Sequence, residues 1–266
     1  MRDRRRHRTG QVFLVNKRIA EIEAEHAAGK TVLEIGPGPG ILTAALLRKA
    51  KKVIAVEKDK HLAELLISRI RSKKLRLINK DFLDTSDEEI GAGSIDIVVS
   101  NIPYSISSRV IEWLAEHQIG AVLCLQKEFV DHMLAREGTP NYSRLSVMTT
   151  LSFRITKILD VPRTQFRPVP LVDSSIVYMK PLGRRVAGPA ADVLRALMQH
   201  KKKTVRNAML DSAGQFGRSC AEISAIMAGI ALCNERPFKL SPESLLSIAS
   251  EIAAAMGKAA GAAQNE

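Results

Sequence analysis

A chain of 266 residues with 45% hydrophobic and 26% charged side chains can bury one full core and a second, smaller one. No apolar run reaches the roughly 18 to 20 residues that cross a bilayer, and the arginine-rich start leads into no hydrophobic segment. A membrane or secreted protein is therefore not expected, and the cytoplasm is. The formal net charge of +12 points to a polyanionic partner, because each lysine or arginine that neutralises a phosphate releases a condensed counterion.

The chain opens on five arginines between Arg2 and Arg8, with Arg4, Arg5 and Arg6 consecutive. Short runs rich in Val, Ile and Leu then recur at 31–35, 52–56, 75–79, 95–100 and 121–125. Segments between them, such as 41–50 and 61–71, place apolar residues at three- and four-residue spacing. Strands covered on both faces and joined by crossover helices make an open α/β sheet. Two further strands, 154–161 and 174–179, flank a proline-interrupted loop and fit an antiparallel pair at the sheet edge. Beyond Pro181 only helices are expected, at 190–210, 220–231 and 242–256, so a boundary near Gly183 divides a domain of 1–182 from a small all-helical one of 183–266.

The first strand runs into Glu34-Ile35-Gly36-Pro37-Gly38-Pro39-Gly40 and then a helix. Glycines let a backbone approach a ligand, and a helix start presents unpaired amides to an anionic group. Nicotinamide enzymes share this geometry, but their fingerprint would need glycine or alanine where this chain has Ile41. Glu57 closes the second strand, where a carboxylate can accept both hydroxyls of a ribose, and Asp81 follows the third, placed to take the amino group of an adenine ring. Three such features on one sheet edge argue for an adenosine-containing cofactor.

The fourth strand delivers Asn101-Ile102-Pro103-Tyr104 to the same edge. The adenine amine is a poor nucleophile because its lone pair is delocalised into the ring. Acceptors for both of its N–H groups disperse the developing charge, and the Asn101 side-chain oxygen with the Ile102 carbonyl can be those two. Pro103 fixes the backbone, and Tyr104 offers a flat face for the base. Phe166 either closes the other face of the base or is a core residue. A duplex base cannot reach such a pocket, so a loop adenosine is the economical substrate. Trp113 is read as packing. The six histidines show no metal-ligand spacing and the three cysteines no paired spacing, so neither a metal nor a disulfide framework is expected.

Taken together these residues resemble the KsgA-type ribosomal RNA adenine dimethyltransferases over nearly the full chain. Gln11-Val12-Phe13-Leu14 resembles the N-terminal segment that covers the cofactor. The 34–40 loop, Glu57, Asp81-Phe82 and 101–104 are similar to successive methyltransferase motifs, and Phe166 to Ser175 to the late loop and strand. Lys201 to Met209 with Arg236-Pro237 looks like the family's helical C-terminal domain. Val12 and Asn16 depart from the family, which usually has Asn or His at the first position and often Asp at the second.

The resemblance implies a Rossmann-like class I methyltransferase sheet with S-adenosylmethionine as cofactor. It would be bound by Gln11, Leu14, Gly36, Gly38, Gly40, Glu57, Asp81, Phe82 and Asn101. The implied partner is small-subunit ribosomal RNA or a precursor particle, with Arg4, Arg5, Arg6, Lys202, Lys203 and Arg206 as RNA contacts on a monomeric protein. Lys202 and Arg206 are expected to share one face of the 190–210 helix, with Lys203 alongside. Two other readings stay open: Erm-type methylation of large-subunit RNA, which shares the glycine loop and the tetrapeptide, and a non-catalytic ribosome assembly factor.

Overall fold

The structure, a computed structural model, describes residues 12–262. Among them the strands are β1 (Phe13–Leu14), β2 (Thr31–Ile35), β3 (Lys52–Val56), β4 (Leu75–Ile78), β5 (Ile97–Asn101), β6 (Gly120–Gln126), β7 (Phe153–Val161), β8 (Phe166–Arg167) and β9 (Ser174–Pro181). The α-helices are α1 (Lys17–Ala24), α2 (Ile41–Lys49), α3 (Lys60–Arg69), α4 (Asp87–Ile90), α5 (Ser107–His117), α6 (Lys127–Met133), α7 (Arg144–Ser152), α8 (Pro189–Gln199), α9 (Val205–Asp211), α10 (Cys220–Met227) and α11 (Pro242–Ala262). None of the described helices is long and apolar enough to cross a membrane.

Seven strands form one sheet in the order β4-β3-β2-β5-β6-β9-β7. The five from β4 to β6 run parallel, and β9 joins β6 antiparallel from Ala121 opposite Met179 to Gln126 opposite Ser174. The open α/β sheet read from the sequence is the one observed, with the expected strand pair, β9 and β7, at one edge. The central strands are largely apolar because helices cover both faces: Val32, Leu33, Val53, Ile54, Val98 and Val122 are each at most 1% exposed. On one face Ile19, Ala20, Leu42 and Leu46 of α1 and α2 close over Val32, Val53 and Ile97.

The chain divides into two compact units. Among the described residues the first takes those up to 130 with 154–181, and the second takes 131–153 with those from 182 onward. The segment 131–153, placed with the catalytic sheet in the sequence reading, therefore packs with the C-terminal helices. Its side chains explain why: Tyr142, Val147 and Leu151 join Leu194, Leu197, Met209 and Ile252 in one apolar cluster. The Tyr142 hydroxyl donates to the Leu240 carbonyl, and the Gly138 amide to that of Phe238. Such long-range anchoring leaves no local periodic signal.

A second correction falls on the 190–210 helix, which is two helices. The chain leaves α8 at His200, the Lys203 amide turns back to the His200 carbonyl, and Thr204 caps α9 by accepting from the Asn207 amide. Lys202 and Lys203 sit in that turn, so they do not share a helical face with Arg206.

Candidate active site

In an open parallel sheet a ligand crevice forms where successive crossovers leave a strand in opposite directions. Here that point lies between β2 and β5, since β3 follows β2 on one side while β5 pairs with it on the other. The glycine loop leaves β2 and the tetrapeptide leaves β5, so both turns open at this one edge. They also touch. A Cβ built on Gly36, whose φ is +69°, would lie 3.3 Å from both Cγ and Cδ of Pro103. The Ser100 hydroxyl donates to the Ile35 carbonyl at 2.6 Å just beneath.

The carboxylates of the edge are partly spoken for. Glu57 is 4% exposed, and its two oxygens accept from the Gly38 amide at 3.0 Å and the Asp59 amide at 2.9 Å. It braces the glycine loop while keeping unused acceptor capacity, and burial holds its pKa above the ordinary carboxylate value. Asp81 accepts from Lys58 Nζ at 2.6 Å and from the Leu83 amide at 3.0 Å. The Lys58 hydrogen bond keeps its pKa low. Lys58 is an exposed, flexible partner, so an amino group could replace it. Phe82 is buried against the edge of Trp113, with ring centroids 5.4 Å apart, and Trp113 anchors its indole N–H on Asp87.

Asn101 ends β5 half-buried, Ile102 is inside, and Pro103 at φ −55° and ψ 125° turns the chain into a short helical turn, Tyr104–Ile106. The Tyr104 hydroxyl lies 2.8 Å from Ser174 Oγ at the start of β9, which ties the aromatic ring to a strand two places along the sheet. Burial raises the Tyr104 pKa, so the hydroxyl stays protonated. The Asn101 amide is split in character. Its Nδ2 donates to Glu23 Oε2 at 3.4 Å, while its Oδ1 is buried without a partner.

Two further carboxyls lie inside: Glu34, which opens the glycine-loop motif, and Glu23, which belongs to no motif of the sequence. Both are fully buried carboxyls whose pKa burial pushes up to about 8, and each has one oxygen without a hydrogen bond. A signal for Glu23 was present: it shares the apolar face of α1 with Ile19, Ala20 and Ala24, where a carboxylate has no packing reason to be.

The expected residues of the N-terminal segment and the late loop meet in a way the sequence did not suggest. β1 pairs antiparallel with β8, Leu14 opposite Phe166. Leu14 is 4% and Phe166 3% exposed, both within the apolar core under the sheet. Phe166 is thus placed in the core rather than on an open face, because its strand pairing turns the ring inward. Asn16 caps α1 by accepting from the Arg18 and Ile19 amides and donates Nδ2 to Gln165 Oε1 at 2.7 Å. Aspartate could not donate that last bond and would need the Gln165 carboxamide turned over to accept from it. Gln11, Arg4, Arg5 and Arg6 lie outside the described residues.

Of the basic residues in the helical unit, Lys203 pairs with Asp211 and Arg206 donates to Ser224 Oγ. Lys202, Lys203, Thr204, Asn207 and Arg236 line a cavity of about 400 Å³. Among the described residues no group of three side chains is arranged to hold a metal ion.

The comparisons with known proteins agree on what such a chain is similar to. Residues 2–253 match the model of the family described as ribosomal RNA adenine dimethylase. The chain is 39% identical to the probable ribosomal RNA small subunit methyltransferase A of Methanopyrus kandleri, covering 96% of this chain and 94% of that one. It is 37% identical to the protein of the same name from Thermococcus onnurineus, covering 90% and 89%. Among solved structures, a dimethyladenosine transferase from Plasmodium falciparum superimposes with a TM-score of 0.76 at 27% identity, over 91% of this chain and 98% of that one. The 23S rRNA methyltransferase ErmE does so with 0.60 at 25% identity, over 90% and 99%. With the glycine loop seated against the Asn-Ile-Pro-Tyr turn at the sheet's switch point, and with a family match spanning almost its whole length, this chain belongs to the ribosomal RNA adenine dimethylase family and is an rRNA adenine dimethyltransferase.

Proposed function

We propose that the protein uses S-adenosylmethionine to dimethylate the 6-amino groups of two adjacent adenosines in a loop near the 3′ end of small-subunit ribosomal RNA, and so contributes to ribosome biogenesis. The observation that carries this reading is the contact of the two turns, beside which Asn101 ends β5 with its Oδ1 unpartnered. The subunit follows the curated relatives, which are named for the small subunit.

The residues present fit such a donor. Glu57 has acceptor capacity left for ribose hydroxyls, Asp81 is held ionised by a replaceable lysine, and the glycine loop offers close backbone approach. Gly36, Gly38, Gly40, Leu14 and Phe82 would complete its surround, with Gln11 from the preceding segment. When bound, the donor supplies an electrophilic sulfonium methyl group. The chain does the rest. Asn101 Oδ1 and the Ile102 carbonyl accept the two N–H groups of the adenine amine, which favours a pyramidal nitrogen with an available lone pair. Tyr104, steadied by Ser174, supports the base, and stacking worth roughly 1 to 3 kcal/mol offsets the cost of extruding it. No strong base is needed, because the methylated ammonium is acidic enough to lose its proton to water. Most of the acceleration then comes from positioning, worth up to about 7 to 11 kcal/mol in well-oriented systems.

Asn101→Ala is expected to keep the calorimetric affinity for the donor while turnover falls on the order of 100- to 1000-fold. Mass spectrometry of small-subunit RNA or immature particles after reaction reads the transfer: a gain of two methyl groups on each of two neighbouring adenosines supports the reading. Gain on large-subunit RNA alone would move the substrate to the other subunit. No gain on any RNA would leave an assembly factor.

A further inference from the structure

Glu23 has no part in the chemistry just described, yet it lies against the residue that matters most to it. It projects from α1 into the interior with no exposed surface, and its hydrogen bond is to Asn101. Its second oxygen is unpartnered, and the titratable groups that face it are Glu34 at the end of β2 and Cys124 on β6. Sealing a carboxyl in such a place is costly, and a well-packed apolar side chain of similar volume is usually as stable or more so. A leucine would match the apolar neighbours Ile19, Ala20 and Ala24 on the same face. The carboxyl therefore does not serve stability.

A carboxamide has two unlike ends of nearly identical shape, one donating and one accepting, and half a turn of the group exchanges them. The adenine amine brings two N–H donors, so an asparagine that presents its own NH2 opposes the substrate. Nothing in the shape of Asn101 chooses between the two orientations; only a neighbour with a one-sided hydrogen-bonding character can. Glu23 serves as such a neighbour while its Oε2 is an acceptor, as a carboxylate or as a neutral carboxyl with its proton on the unpartnered Oε1, since accepting from Nδ2 leaves Oδ1 as the remaining end.

We infer that Glu23 is a positioning residue for the methyl transfer: by accepting Asn101 Nδ2 it holds the carboxamide in the orientation whose oxygen receives the substrate amine. This rests on the proposed role of Asn101 as an acceptor for that amine. Glu23 touches neither base nor donor and acts through Asn101 alone.

The test compares the full-length wild type with Glu23→Leu, Glu23→Gln and Asn101→Ala. Single-turnover and steady-state methylation of small-subunit RNA with S-adenosylmethionine give kcat and KM, and thermal melting reports the fold. Glu23→Leu is expected to lose about 10- to 100-fold in kcat, as small misplacements of reacting groups do, with KM for RNA and donor little changed and an undiminished melting midpoint. Glu23→Gln keeps a carbonyl acceptor but adds an NH2 that can pair with Asn101 Oδ1 instead, so it recovers only part of the loss. In the Asn101→Ala background Glu23→Leu costs nothing further, because the two act as one unit. A second readout needs neither activity nor a variant that folds. In the wild-type protein alone, the NMR resonances of the Asn101 side-chain NH2 shift as pH is taken through the ionisation of Glu23. Wild-type kcat in Glu23→Leu, an equal loss in both backgrounds, or NH2 resonances indifferent to that ionisation would each overturn the inference. A wild-type protein that methylates no RNA would instead overturn the function on which it rests.

Discussion

At the scale of single residues, the interior carries two carboxyls, Glu23 and Glu34, whose burial makes the neutral form the favoured one. The consequence for stability has a definite sign. Below pH 4.5 folded and unfolded chains both hold the Glu34 proton, while between 4.5 and about 8 only the folded chain does. The folded state therefore binds more protons across that window, and its advantage declines as pH rises until it levels off near 8. The decline amounts to at most roughly 1.4 kcal/mol per unit. Glu34→Gln removes the titration while keeping the shape, so its melting midpoint should fall less between pH 4.5 and 8 than that of the wild type. Parallel curves for the two proteins would show that Glu34 is ionised in the folded chain. The catalytic candidates Asn101 and Tyr104 were legible as residue types in a strand-terminal tetrapeptide. Glu23 was legible only as a carboxyl on the apolar face of a helix, and its contact with Asn101, across 78 positions of chain, was not.

At the scale of elements, the β2–α2 turn shows how local sequence and packing divide the work. Gly40 sits at φ +92° as the N-cap of α2, and its carbonyl accepts the Ala44 amide. A Cβ there would meet Leu66 at 2.4 Å and Ile70 at 3.0 Å, so alanine is opposed by both conformation and α3 packing. Gly40→Ala is expected to cost roughly 1 to 3 kcal/mol, read as a drop in melting midpoint of about 2 to 4 °C for each kcal/mol. An unchanged midpoint would mean that the turn relaxes at no cost. The strands of the parallel sheet were readable from their Val, Ile and Leu runs within a residue or two, because burial on both faces forces that composition. The two-residue strands β1 and β8 were not, since two residues carry no period. Nor was the break between α8 and α9, where the Thr204 cap overrides a pattern that is apolar on both sides of it.

At the scale of the whole molecule, the charge of +12 makes an RNA partner testable by salt. Each phosphate neutralised adds about 0.9 to the slope of log affinity against log salt for duplexes and about 0.7 for single strands. Lys202→Ala should lower that slope by nearly one unit if its ammonium meets a phosphate. Lys203→Ala should lower it less, because Asp211 already compensates part of that charge. Filter binding across a salt series checks both, and equal slopes in all three proteins would take RNA contact away from this turn. The cavity beside it is assembled from residues on both sides of α10, Arg236 among them, so the sequence cluster at 201–206 reveals only half of it.

By itself the sequence determined the order of strands and crossover helices, the glycine loop, the tetrapeptide and the family they belong to. Each of these is written in contiguous residues whose period or turn chemistry is set by near neighbours. Only the tertiary structure decided that residues 131–153 pack with the C-terminal helices, that Phe166 faces the core, and that Glu23 meets Asn101. Those outcomes turn on which apolar and polar groups find each other across long stretches of chain. No local pattern encodes that pairing, because the free energy that selects it comes from burial and hydrogen bonding in the assembled core.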